Sequence, residues 1–187
     1  MCGSFCTLEK GVAQLERLGE GYEILPVFSE NAYATDTRFG RARDWVARVE
    51  GLCGREAAHT IPQVEPWGPK RLVEALVICP CTGNTLSKLA WGITDTAVTM
   101  AAKSCLRARL PVVVCLATND ALGGSAQSLG RLLNTRGVFF VPLRQDDPQG
   151  KPTSLVGDFS LVGETVEAAL EGRQLQPVFL PPSGPQG

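Results

Sequence analysis

The chain has 187 residues, 44% hydrophobic and 20% charged; it is long enough to bury a sizeable core and too apolar to be disordered. Lys and Arg number 18 against 19 Asp and Glu, a net charge of -1, which argues against nucleic acid as the main partner and leaves room for a small anionic ligand. No apolar run approaches the roughly 18 residues that span a bilayer, and residues 1–7 lack the basic and apolar regions of a signal peptide, so a cytoplasmic protein is expected.

Seven cysteines are present. Cys53, Cys79, Cys105 and Cys115 sit among apolar residues and read as buried thiols. Cys79-Pro80-Cys81 has no zinc-finger spacing and no second pair, so no metal site is expected.

Gly3-Ser4 stands before a helix that Thr7 caps, with Leu8, Val12, Leu15 and Leu18 on one face and an end at Gly19 or Gly21. Gly-Ser there fits a helix cap or a phosphate-binding loop. Such a loop normally follows a strand, yet only Met1 and Cys2 precede it. A central strand left out would leave its neighbours with unpaired backbone groups, so a truncated start is expected. Residues 22–28 read as a strand and residues 29–40 as a polar loop, in which Arg38 is either a surface cation or a bidentate fork for phosphate or carboxylate. Residues 41–52 form a helix ended by Gly54. His59, the only histidine, reads as structural. A Pro-rich connection at residues 62–69 carries Trp67 across a sheet edge.

The stretch from Leu76 to Asp95 organises the rest. An apolar strand breaks at Pro80, a small polar turn follows, and Leu86, Leu89, Ala90 and Ile93 recur at helical spacing. Strand, polar turn and helix is the layout of a phosphate or cofactor site in an open α/β sheet, with free N–H groups at the helix start. Thr82 and Thr85 suit phosphate oxygens, and Asn84, which donates and accepts, suits the edge of a heteroaromatic ring. Lys88, one turn into the helix, meets an anion or snorkels from the surface. Asp95 is placed to cap the next helix, which runs to Arg109 and stops before Pro111.

Residues 112–116 are continuous, β-branched and apolar, the pattern of a parallel strand buried on both faces. A second polar turn, residues 117–124, follows. Residues 127–133 are a helix, 138–141 the last clear strand, 144–154 a charged loop and 162–170 a final helix. An extended segment at 175–180 and a disordered tail at 181–187 complete the chain. Strands alternating with helices define one domain over residues 1–180: a three-layer α/β fold, a parallel sheet with helices on both faces. Ligands of such folds sit at the carboxyl ends of the strands, where three polar turns meet. One histidine allows no Ser-His-Asp or Cys-His arrangement.

Pro80-Cys81-Thr82-Gly83-Asn84-Thr85, followed by Lys88, Ala90, Gly92 and Asp95, resembles the signature of the flavoprotein family that includes cysteine decarboxylases acting on pantothenate intermediates and lantibiotic peptides. That resemblance implies a Rossmann-like or flavodoxin-like domain, FMN as cofactor and a homo-oligomer. Further matches lie at Gly3-Ser4 with Cys6-Thr7, Thr37-Arg38-Phe39-Gly40, Glu65-Pro66 with Gly68-Pro69-Lys70, Thr118-Asn119-Asp120-Ala121-Leu122-Gly123, Gln145-Asp146-Asp147-Pro148 and Leu175-Gln176-Pro177. Together they resemble a spore-associated branch of the family, one subunit of a two-subunit oxidoreductase working in the mother cell on a small dicarboxylate. The partner it implies is dehydrogenase-like and carries NADP. Carried over by position, Gly3, Ser4, Thr82, Gly83, Asn84 and Thr85 hold the flavin, and Thr118, Asn119 and Asp120 close over it. Arg38, Lys70 and Lys88 are candidates for the substrate carboxylates. Decarboxylases of the family carry a His shortly before the Pro-x-x-x-Asn motif; here that region reads Glu65-Pro66-Trp67-Gly68-Pro69-Lys70, which argues against decarboxylation and leaves the catalytic base unassigned.

Overall fold

The sheet is built outward from the strand Val112–Thr118 (β2), whose two faces are both apolar and both covered. In this computed structural model, which describes residues 1–182, β2 pairs in parallel with Leu76–Cys81 (β1) on one side and Val138–Phe140 (β3) on the other. Val112, Val114 and Leu116 point into one core and Val113 and Cys115 into a second. Period-two alternation, with both sets apolar, is what a strand between two helical layers requires.

One layer consists of Gly83–Ala90 (α5), Ala97–Arg107 (α6) and Ala126–Leu133 (α7). Leu86, Ala90, Ala101, Ala102, Leu129 and Leu132 bury against β1, β2 and β3. The opposite layer holds Leu8–Gly19 (α1) and Val162–Leu170 (α8), with Val162, Val166 and Ala169 packing on Val113 and Cys115. Beyond α1, Ala42–Cys53 (α3) closes a third cluster through Val46 and Val49 with Leu8, Val12 and Phe28. Among the described residues no helix is long and apolar enough to cross a membrane.

The architecture is the expected three-layer α/β fold with helices on both faces, but the sheet is mixed. The charged loop of residues 144–154 is the tip of a hairpin: Leu143–Arg144 (β4) and Leu155–Gly157 (β5) pair antiparallel, and β5 continues the sheet on the end of β2 through Ala117–Val156 and Thr118–Leu155. Two- and three-residue strands give too short an alternation to stand out in sequence. The extended segment at 175–180 is present, with Leu143 N–H donating to Val178 O at 2.8 Å and Leu180 N–H to Leu143 O at 2.8 Å.

Three other expectations change. Residues 22–28 form no ladder; among the described residues the one bridge assigned to them is Val27–Ala58. The polar loop at 29–40 contains a short helix, Glu30–Ala34 (α2), capped by Ser29, whose Oγ accepts from Ala32 N–H at 3.4 Å. Thr96, not Asp95, caps α6, with its Oγ1 accepting from Thr99 N–H at 3.2 Å; the hydroxyl one residue later is at hydrogen-bonding reach of the helix start and Asp95 is not. Of the tail expected at 181–187, residues 183–187 lie outside the described residues.

Candidate cofactor site at the carboxyl edge of the sheet

Three turns converge where the parallel strands end. After β1, Thr82 is extended (φ −81°, ψ 160°) and caps α5, its Oγ1 accepting from Thr85 N–H at 3.2 Å and donating to Thr85 Oγ1 at 3.1 Å. The cap satisfies one orphan donor of the helix start. The N–H groups of Gly83 and Asn84 have no acceptor among the described residues, and they present a partial positive charge to an anion. The Asn84 side chain is exposed and makes no hydrogen bond among the described residues, so its amide keeps both a donor and an acceptor for a ligand.

The first turn is tied to the second. Cys2 N–H donates to Pro80 O at 3.1 Å, and Thr85 Oγ1 donates to Cys2 Sγ at 3.4 Å. This brings Gly3 and Ser4 beside the start of α5. Ser4 is held by Thr7, whose Oγ1 donates to Ser4 Oγ at 2.8 Å and approaches Ser4 O at 3.1 Å; Thr7 therefore braces the loop instead of capping α1 with its side chain.

The third turn backs the second. Asp120 accepts from Thr118 Oγ1 at 2.6 Å and from Ser125 Oγ at 3.0 Å on both carboxylate oxygens. A Cβ on Gly83 would stand 2.7 Å from Thr118 Oγ1, 3.0 Å from Asp120 Oδ1 and 3.1 Å from Ser125 Oγ. Only glycine lets the helix start approach this cluster so closely. Asn119 is exposed, and its carbonyl accepts from Thr153 Oγ1 at 2.7 Å, fastening the β4–β5 hairpin to the turn.

The structure thus assembles Gly3, Ser4, Thr82, Gly83, Asn84, Thr85, Thr118, Asn119 and Asp120 on one edge. The three cations are distributed differently. Lys88 Nζ bonds both oxygens of Asp95, at 2.8 and 2.9 Å, and this ammonium holds the Asp95 carboxyl below its ordinary range. Arg38 is exposed and lies over its neighbour Phe39, 4.8 Å from the ring centroid. Lys70 belongs to the loop anchored by Gly68 N–H on Ser104 Oγ at 2.9 Å. Ser104 is in the last turns of α6, which leads into the amino end of β2, so Lys70 stands at the opposite edge of the sheet from the three turns.

Three participants are not evident in the sequence alone. Ser125 Oγ helps to hold Asp120; its signal is a hydroxyl just after Gly123-Gly124 and before the apolar face of α7. Ser29 and Asn31 form a fourth turn at the same edge: Ser29 N–H donates to Met1 O at 2.9 Å, and a Cβ on Gly3 would stand 3.6 Å from Asn31 Cβ. The signal is a Ser at the end of a strand-like run. Two buried thiols brace the turns, Cys2 Sγ accepting from Thr85 Oγ1 at 3.4 Å and Cys81 Sγ donating to Thr82 O at 3.6 Å. Burial pushes Cys105 up to about 11, and Cys81, fully enclosed, is pushed well above its ordinary value by the same cause. His59 stacks on Tyr33 with centroids 3.9 Å apart.

Comparison with known proteins gives the chain a class. The sequence profile of the family described as Flavoprotein matches residues 4–153; the chain belongs to that family. It is 46% identical over 181 residues to the B subunit of dipicolinate synthase of Bacillus subtilis (strain 168), covering 96% of this chain and 90% of that one. The crystal structure of the dipicolinate synthase B subunit from Bacillus halodurans superposes with a TM-score of 0.87 at 41% identity, over 95% of this chain and 92% of that one. The FMN-dependent cysteine decarboxylase SpaF shares the fold, with a TM-score of 0.63 at 22% identity over 90% and 93% of the two chains.

The donor set fits the group that the family implies. The free N–H groups of Gly83 and Asn84 with the Thr82 and Thr85 hydroxyls suit phosphate oxygens, and the unengaged Asn84 amide suits the edge of a flavin ring.

Proposed function

We propose that the chain is the flavin-pocket subunit of a dipicolinate synthase, acting with a dehydrogenase-like NADP subunit in the mother cell of a sporulating bacterium. The 46% identity with the Bacillus subtilis protein supports it, and the observation that carries the pocket is the start of α5, where two N–H groups and the Asn84 amide stand unengaged beside Gly83. In this reading FMN sits across the three turns, its phosphate on residues 82–85 and on Gly3 and Ser4, with residues 118–120 over it. Bound flavin would supply two-electron redox capacity. Oxidation of a dihydrodipicolinate removes one hydride, which NADP⁺ on the partner can accept, and one proton, which leaves to solvent as the ring becomes aromatic.

The protein's own residues bind and orient. Arg38 and Lys70 make no ion pair among the described residues; since Lys70 stands at the far edge, Arg38 is the cation that best suits a substrate carboxylate, and Lys88 would first have to leave Asp95. A homo-oligomer belongs to the same reading: Trp91 is 59% exposed and Ile93 46%, an apolar surface that a second copy would cover.

One observation favours a second reading, in which the subunit stabilises or gates its partner without doing chemistry. Asp120, the carboxylate of the turn at 118–122, already accepts from the Thr118 and Ser125 hydroxyls, and the region in which the decarboxylases carry their histidine reads Glu65-Pro66-Trp67-Gly68-Pro69-Lys70, with Trp67 buried. No general base is placed at the edge by either. Co-expression with the dehydrogenase subunit, followed by a visible spectrum and a dipicolinate assay, separates the readings. A yellow complex whose activity falls when flavin is stripped supports the first; a colourless complex that is fully active supports the second. Carbon dioxide released from a cysteine-terminal substrate by this chain alone would replace both with a stand-alone decarboxylase.

A further inference from the structure

Two turns of the carboxyl edge hold apolar side chains out in water: Phe39 is 43% exposed and Leu122 50%. Exposed apolar side chains are ordinary when scattered; these two differ in how they are mounted and in what lies between them. Thr37 and Gly40 exchange both backbone bonds, at 3.0 and 3.1 Å, and Phe39 N–H donates to Thr37 Oγ1 at 3.2 Å. Gly40 has φ +139°, and a Cβ there would stand 2.7 Å from Trp45 Nε1, so glycine is what closes the turn over Trp45. Asp36 Oδ1 accepts from Ala42 N–H at 2.8 Å and ties the turn to the start of α3. The Phe39 backbone is fixed, while its ring meets the Arg38 guanidinium and solvent. Leu122 is mounted in the same way. Its N–H donates to Thr153 O at 2.9 Å, and Gly123 and Ser125 N–H groups close the turn on Asp120 O at 2.9 and 3.1 Å.

α3 runs from the carboxyl edge toward the amino edge, because Ala58, which follows it, lies parallel to Val27. The turn at 37–40 therefore stands on the edge that carries the flavin turns, on the side of residues 27–28, and Leu122 stands on the side of β2. Between them the Asn84 and Asn119 side chains are exposed. A rigid apolar anchor on either side of an open polar site has the anatomy of a protein interface, in which a few fixed aromatic and aliphatic side chains carry most of the binding.

Resting on the flavin-subunit reading, we infer that the carboxyl edge between Phe39 and Leu122 is the docking surface for the partner subunit, and that the partner's nicotinamide nucleotide approaches the three turns between these two anchors. Chemistry selects this occupant. A hydride passes between carbons about 3–3.5 Å apart, from the C–H bond broken in the substrate to the C–H bond formed on the nicotinamide, while the accompanying proton leaves to solvent. The nucleotide belongs to the partner, so the partner has to close over the substrate and hence over this edge. Charge agrees. Arg38 suits the substrate carboxylate. Arg41, also exposed and without an ion pair among the described residues, adds positive charge at the start of α3, where a nucleotide on the partner brings phosphates. The acids of the β4–β5 hairpin beside Leu122 are already engaged, Asp146 by Lys151 Nζ at 3.3 Å and Ser154 Oγ at 2.7 Å, Asp147 by Gly150 N–H at 2.8 Å. A second copy brought against this edge suits the arginines less well.

Calorimetric titration of the chain with the dehydrogenase-like subunit of the same bacterium, loaded with NADP⁺, tests it. Phe39→Glu and Leu122→Glu each weaken the complex by at least about 10-fold, with the melting temperature of the chain alone unchanged. Leu52→Glu, at a side chain 42% exposed near the far end of α3, leaves the affinity unchanged. Arg41→Glu, which alters neither anchor, weakens binding of the NADP⁺-loaded subunit more than that of the nucleotide-free subunit. Native affinity in both anchor variants overturns the inference, as does an equal loss in Leu52→Glu; equal losses with and without nucleotide in Arg41→Glu overturn the approach of the nucleotide. An anchor variant that changes the oligomeric state of the chain alone in sedimentation, yet keeps native affinity for the partner, assigns the edge to a second copy and overturns it too. A native chain that fails to bind the subunit refutes the partner reading itself, a result distinct from a complex that forms and ignores the anchor variants.

Discussion

In the proposed reading Asn84 and Gly83 divide the work of the site between binding and fit. The Asn84 side chain is exposed and makes no hydrogen bond among the described residues, so Asn84→Ala leaves stability within about 0.5 kcal/mol while lowering FMN affinity by about 10- to 100-fold, the loss of one or two hydrogen bonds to a ligand; a fluorescence titration with FMN measures the second and thermal unfolding the first. Gly83→Ala forces its Cβ onto Thr118 Oγ1 and should weaken binding through displacement of the Asp120 cluster. The Lys88–Asp95 pair makes a pH prediction. Its ammonium depresses the Asp95 carboxyl in the folded state, so the pair stabilises above the unfolded carboxylate value and the contribution is lost as pH falls through the folded one. The difference in melting temperature between the native chain and Lys88→Met should therefore be constant near neutral pH, begin to shrink as pH falls below about 4 and vanish only below the depressed folded value of Asp95. An unchanged difference at about pH 3 would show that the pair is not the source.

At the level of elements, α5 is a packing unit and, in the proposed reading, the seat of the cofactor phosphate, and the two roles can be separated. Thr82→Ala and Thr96→Ala each remove a hydroxyl cap and cost about 1 kcal/mol, roughly 2–4 °C in a chain of this size. Only the Thr82 change should also weaken FMN, because α6 starts away from the three turns; equal losses of binding in both would refute the assignment. Leu86 is fully buried under α5, and Leu86→Ala should cost ~2–5 kcal/mol, read by urea denaturation. The long, periodic elements are legible in the sequence: α1, α3, α7 and α8 fall within a residue or two of the boundaries that periodicity and capping give, since an apolar stripe every third or fourth residue has few other solutions. The short ones are not. α2 has five residues, β4 two and β5 three, and their existence depends on what lies beside them.

For the whole molecule, the thiols report on integrity. All seven cysteines are free; five are buried, Cys53 is half-buried and Cys6 is exposed. A thiol reagent should label Cys6 quickly, Cys53 slowly and the remaining five only on global unfolding. Fast labelling of Cys79 or Cys115, which pack with α8 in the core opposite α5, would mean that this layer opens in the native state. Mass spectrometry after timed labelling distinguishes the two.

Composition, the apolar run of β2 and the Pro-Cys-Thr-Gly-Asn-Thr turn determine a three-layer α/β fold with a polar site at the strand ends, because local periodicity and turn chemistry are properties of neighbouring residues. The role of each side chain was decided by contacts between residues far apart in sequence. Asp95 could pair or cap, and Lys88 resolved it. Gly83 reads as part of a turn, and the Thr118–Asp120–Ser125 cluster shows why it must be glycine. Lys70 matches a motif but lies on the far edge, because the loop that carries it is pinned to Ser104. Residues 22–28 have the composition of a strand, yet a strand is a property of its partners: among the described residues the one bridge assigned to them is Val27–Ala58, and no ladder forms.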